Sequence, residues 1–145
     1  MKKLITLVLL SPVIVSSELS TIDEFFSSEK ANAMSSHELT IYSLEKCSAL
    51  SFISIGGDNP DVHDLGDYFL ETSLVYKIEE ESEINEEVHQ ENTLQTIQVY
   101  FKEYEAHINE YLKTEPDEPF SELMREDLKF CMYVYEVISG ETGED

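Results

Sequence analysis

Positive charge is what this chain most lacks: nine Lys and Arg stand against 31 Asp and Glu, for a net charge of −22. That imbalance excludes nucleic acid and anionic lipid surfaces as partners, since both would be repelled. Tryptophan is absent, and glycine and proline number only five and four, which excludes collagen-like and Pro/Gly-rich low-complexity chains. Two cysteines, with no C-x-x-C, exclude a zinc ribbon or a thioredoxin-type redox motif. No apolar run reaches the roughly 20 residues that cross a bilayer. Aromatics are plentiful, at eight Tyr and seven Phe, and argue for a packed core rather than disorder.

The start has the pattern of an export signal. Lys2 and Lys3 precede an apolar stretch over residues 4–15, broken only by Thr6, Ser11 and Pro12, and Ser16-Ser17 follow before Glu18. A short basic start, about a dozen apolar residues and small residues at the exit describe a secretory signal peptide. Cleavage is placed after Ser17; an uncleaved anchor is the alternative. The expected organisation is a signal peptide over 1–17, an arm or short helix over 18–34, one helical domain over 35–139 and an acidic tail over 140–145. The expected location is the periplasm.

Helical periodicity runs through the rest. Thr21 and Glu24 have capping-box spacing, and Ser35 and Glu38 repeat it. Behind Ser35, the residues Leu39, Tyr42, Lys46, Cys47, Leu50 and Ile53 step by three and four along a predicted apolar stripe, ended by Gly56-Gly57. Asn59-Pro60 opens a second helix carrying Val62, Leu65, Phe69 and Tyr76. Leu94, Ile97, Phe101, Tyr104, Ile108 and Tyr111 predict a third. Phe120, Met124, Leu128, Cys131, Tyr135 and Ile138 predict a fourth, ending at Gly140. No hairpin dipeptide or period of two competes. The expected fold is all-α, an antiparallel bundle of four helices with a possible short fifth at the front.

Candidate chemistry is sparse. His37, His63, His89 and His107 are scattered without ligand spacing and read as surface residues. The D-x-D-x-D-G calcium pattern is absent, as are a G-x-S-x-G elbow and a glycine-rich phosphate loop. No cofactor or metal is expected, and the chain reads as a binding protein rather than an enzyme. In an oxidising compartment, Cys47 and Cys131 on two predicted helices are most simply a disulfide closing a loop of more than eighty residues.

Two segments carry a family resemblance. Leu44-Glu45-Lys46-Cys47-Ser48-Ala49-Leu50 resembles the first-helix signature L-x-K-C-x-A of type VI secretion amidase immunity proteins. Phe130-Cys131-Met132-Tyr133-Val134-Tyr135-Glu136 is similar to their final-helix K-C-x-x-x-Y segment, with Lys129 one place further from the cysteine. Asp67-Tyr68-Phe69-Leu70-Glu71 and Ile108-Asn109-Glu110-Tyr111-Leu112 stand where similar segments of the middle helices do. The resemblance spans about residues 39–139. It implies a periplasmic helical homodimer that inhibits an injected peptidoglycan amidase by inserting a loop into its cleft.

Two acidic segments are candidates for that loop. One is 79–91, with Glu79, Glu80, Glu81, Glu83, Glu86 and Glu87. The other is Glu115-Pro116-Asp117-Glu118-Pro119, stiffened by its prolines. The expected partner is a cognate secreted effector that degrades the cell wall, an amidase first, with a muramidase or pore-former as other targets. The competing expectation is an acid-stress envelope chaperone, motivated by a carboxylate excess that acid would neutralise. A calcium-dependent surface module is the third.

Overall fold

The structure, a computed structural model, describes residues 19–54, 60–118 and 120–140. The expected signal peptide, the Gly56-Gly57 stop, the Asn59 cap, Pro119 and residues 141–145 of the tail lie outside the described residues. Six helices follow in order: α1 (Ile22–Phe26), α2 (Glu29–Asn32), α3 (Ser36–Ser54), α4 (Pro60–Glu80), α5 (Glu86–Tyr111) and α6 (Glu122–Ser139). No strand occurs among the described residues. The fold is all-α, and the Cys47–Cys131 disulfide joins α3 to α6.

Both predicted capping boxes form. Thr21 Oγ1 accepts the Glu24 N–H at 3.1 Å while Glu24 accepts the Thr21 N–H at 2.9 Å. Ser35 and Glu38 do the same at 3.1 and 2.6 Å. Residues 19–34 thus carry two short helices, α1 and α2. Ile22 is fully buried, Phe26 meets Phe130 edge-on at 5.5 Å, and Phe25 stacks on Tyr42 at 3.9 Å.

The expectation that α3 is amphipathic needs correcting. It is the central helix, packed by α1, α4, α5 and α6, and every residue from 43 to 51 is buried. A helix enclosed on all sides needs small residues for close approach, and Ser43, Ser48, Ala49 and Ser51 supply them. Their hydroxyls are satisfied locally or across the interface: Ser43 Oγ donates to Leu39 O at 2.8 Å, and Ser48 Oγ to Gly66 O at 2.9 Å. A Cβ at Gly66 would sit 2.8 Å from the Phe52 ring, so glycine is what lets α4 approach α3 there.

α5 also differs from its predicted stripe. Ile97 and Tyr104 are buried, but Leu94 is 41% exposed, and the inner face continues upstream through Thr93 and His89. Helix α6 ends as predicted at Gly140, whose φ of 74° is the left-handed cap conformation that favours glycine.

Candidate functional site

The first acidic candidate is not an extended loop. Glu79 and Glu80 close α4, Glu86 and Glu87 open α5, and only residues 81–85 connect them. Asn85 caps α5 by accepting the Glu87 N–H at 3.0 Å, and the carboxylates in its first turn complement the helix dipole. His89 stiffens this tip. Its ring nitrogen pairs with Glu81 O at 3.1 Å, and the side chain is only 3% exposed. The surface expectation for His89 is thus overturned: here its ring fills the space beneath the connection and satisfies a backbone carbonyl.

What the tip presents is definite. Glu79, Glu80, Glu81, Glu83, Glu86, Glu87 and Glu91 are all exposed. Among them Ile84 and Val88 are 41% and 46% exposed. Glu80 lies 3.3 Å from the His37 ring nitrogen. The tip is a rigid, negatively charged knob with two aliphatic side chains in its middle.

The second candidate lies between α5 and α6. Glu115, Pro116, Asp117 and Glu118 are exposed, and the turn is held by the Glu115 N–H on Tyr111 O at 3.0 Å. Arg125 ties it down, pairing with Glu118 and donating to Phe120 O at 2.9 Å. Of the turn's three acids, Glu118 is thus compensated, and Lys113 pairs with Glu110 just upstream at 2.6 Å. The 26 residues of α5 separate the two candidates by about 39 Å. They sit at opposite ends of one helix, so they cannot enter a single cleft together.

A third place is an open groove of about 1580 Å³ along α5, walled by Leu19, Phe25 and Met34 of the N-terminal segment and by Tyr42 of α3. Two of its lysines are engaged within the fold. Lys46, 4% exposed, pairs with Glu103 at 3.0 Å and lies 4.7 and 5.1 Å from the Tyr100 and Tyr104 rings. Lys77 pairs with Glu45 and donates to Thr93 Oγ1 at 3.0 Å. Burial pushes the Glu45 carboxyl above its ordinary range, with Lys77 pulling the other way. Burial likewise raises the Tyr42, Tyr100 and Tyr104 hydroxyls, leaving them neutral donors. Lys46–Glu103 and Lys77–Glu45 thus tie α3 to α5 and to α4 along the groove wall. No group of side chains placed to hold a metal ion occurs among the described residues.

No family model, curated protein or solved structure matches the chain. The two segments that carry the resemblance lie on α3 and α6 and face each other through the disulfide, with Cα atoms 5.4 Å apart and both cysteines buried.

Sequence reading missed the burial of Glu45, His89 and Asp127. Charged types default to the surface when only periodicity is read. Lys46 is the exception, since it falls on the same three-and-four stripe as Cys47 and Leu50 and is buried as that stripe predicts.

Proposed function

We propose that this protein is a non-catalytic periplasmic immunity protein that binds a type VI secreted peptidoglycan-degrading effector, an amidase first, and occludes its active-site cleft. The observation that carries the reading is the α4–α5 tip: seven exposed carboxylates around Ile84 and Val88, spread over the end of α4, the start of α5 and the five residues between them, with His89 anchoring that connection from below. A pre-ordered knob loses little conformational freedom on docking. Its charge accelerates encounter with a basic surface, and its aliphatic centre supplies the desolvated contact.

The disulfide supports the same reading, because a covalent link between the central helix and the last one suits an oxidising compartment. The α5–α6 turn is the weaker candidate, as Arg125 already occupies Glu118. The acid-chaperone alternative needs apolar surface to be released by acid. The buried carboxylates oppose it, since their raised pKa values make the folded state the better proton acceptor.

The test is co-purification with the effector encoded beside this protein, together with protection from lysis when both are sent to the periplasm. Capture that disappears in an E83K/E87K variant supports the tip as the contact. If no neighbouring effector is captured by the unaltered protein, the reading is wrong.

A further inference from the structure

The groove along α5 has the form of a receptor for a helix. On α5 its wall is made by His89, Asn92, Val99, Glu103, Ala106 and Glu110, which step by three, four or seven and so keep to one face. From first to last they cover about 31 Å of that helix, opposite the N-terminal segment and α3. The floor between is apolar and fixed: Phe25 stacks on Tyr42 at 3.9 Å, and Tyr42 meets Tyr100 edge-on at 5.7 Å. Val99 projects beside these rings with 55% of its surface exposed. A long open trough lined by aromatic and aliphatic groups is the shape in which an amphipathic helix lays its apolar face.

Charge decides which helix. The lysines of the lining are of two kinds: Lys46 and Lys77 are turned onto Glu103 and Glu45, while Lys30 and Lys102 are exposed. Against that exposed pair stand the exposed carboxylates of Glu38, Glu80, Glu81 and Glu110, on a chain of net charge −22. Glu80 and Glu110 also meet His37 and Lys113, surface contacts of the kind that contribute little. An anionic occupant would be repelled. A neutral helix would strip water from the rim carboxylates and return nothing. Lysines or arginines along the flanks of the occupant replace that water with charge-assisted hydrogen bonds.

We propose that this groove is a docking site for a cationic amphipathic helix of another protein. The apolar face of that helix rests on Tyr42, Tyr100 and Val99, and its lysines or arginines reach Glu81 at one end and Glu110 at the other. The direction differs from the effector reading: there the tip enters a partner, whereas here a partner segment enters this chain. No effector is needed to test the groove, so either can fail alone.

The chain has no tryptophan, so a single tryptophan on a probe reports burial without background. The probe is a synthetic helical peptide of about 18 residues, about 27 Å long, with leucines and one tryptophan on one face and lysines on the other. Titration with the purified chain at about 0.15 M ionic strength, where distant charges are screened, should give a saturable blue shift with one peptide per chain. E81K/E110K should weaken binding about tenfold. E71K/E136K makes the same change in net charge away from the groove and should weaken it by less than about threefold. V99E/A106E makes the chain more acidic but obstructs the trough, and should also cost about tenfold. All six positions are exposed, so far-UV circular dichroism should be unchanged. If a variant misfolds, amide shift mapping on the unaltered chain takes its place, with changes centred on Tyr42, Val99 and Ala106. Absence of saturable binding overturns the proposal, as does equal binding of a peptide with glutamates for its lysines, or shifts confined to other faces. Equal weakening by the two charge-reversal pairs overturns it too, and so does undiminished binding to V99E/A106E.

Discussion

Asp127 of α6 accepts the backbone N–H of Ile22, 105 positions earlier in the chain, at 2.8 Å. Its other oxygen accepts the Tyr104 hydroxyl of α5 at 2.6 Å. One carboxylate, 1% exposed, therefore fastens the N-terminal segment, α5 and α6 together, and His107 Nε2 with Ser121 Oγ at 2.7 Å is a second tie between α5 and the α6 cap.

Removing that carboxylate should undo the junction. Asp127→Ala leaves a buried N–H and a buried hydroxyl without acceptors, a loss expected at about 2–4 kcal/mol. Asp127→Asn keeps an oxygen for Ile22 and offers its amide to Tyr104, so it should cost under about 1.5 kcal/mol. Chemical denaturation gives both values, and amide exchange at Ile22 should quicken only in the alanine variant. Equal losses in the two variants would mean that the carboxylate merely fills space.

The pH response follows from the same residue and Glu45. Burial raises both carboxyls above their ordinary values of 3.8 and 4.5, although hydrogen bonds from Tyr104 and Ile22 and the nearby Lys46 pull Asp127 back down, as Lys77 does Glu45. An acid with a raised folded pKa contributes stability that is present below its unfolded pKa and lost as pH rises through the folded one. Melting temperature should thus climb as pH falls from neutral toward the ordinary carboxyl range, helped by relief of surface repulsion. Asp127→Asn should flatten the climb. Unfolding near pH 5, with dye binding, would favour the chaperone alternative instead.

Reduction of Cys47–Cys131 is expected to be slow and then costly. Both sulfurs belong to buried residues, so a mild reductant should leave the folded protein oxidised. The Cys47→Ala/Cys131→Ala variant releases a loop of 84 residues, which the loop-closure account values at roughly 4–5 kcal/mol as an upper bound. A fall in melting temperature of about 10 °C or more should result. An unchanged melting curve would contradict it.

Lys46→Met provides an opposite case. The methionine keeps most of the stem against Tyr100 and Tyr104, and Glu103, which is 40% exposed, stays solvated. Replacing a buried ion by an apolar group of like shape should change stability by less than about 1.5 kcal/mol. Calorimetry of this variant beside Cys47→Ala/Cys131→Ala separates packing from electrostatics in α3.

Charge reversal at the two tips ranks the candidate contacts. E83K/E87K should slow association with the captured effector by about tenfold at low salt, with the effect shrinking as salt rises. E115K/D117K should leave it nearly unchanged. The reverse order would move the contact to the α5–α6 turn.

How much was legible beforehand depends on how local each cause is. The capping boxes at Thr21 and Ser35, the Gly140 stop and the helical periods are set by neighbours a few residues away, and the sequence alone determined them. So too the pairing of the cysteines, because only one pair exists. Only the tertiary structure decided that α3 is enclosed on every side. Its stripe from Leu39 to Ile53 records one inward face, but Glu45 and Ser48, off that stripe, read as solvent-facing until their partners on other helices are in place. It decided as well that 79–91 is a short tip on two helix ends, that the two acidic candidates lie at opposite ends of α5, and that Asp127 meets Ile22. Burial of a charge depends on partners brought from distant parts of the chain, and spacing within one helix carries no record of them.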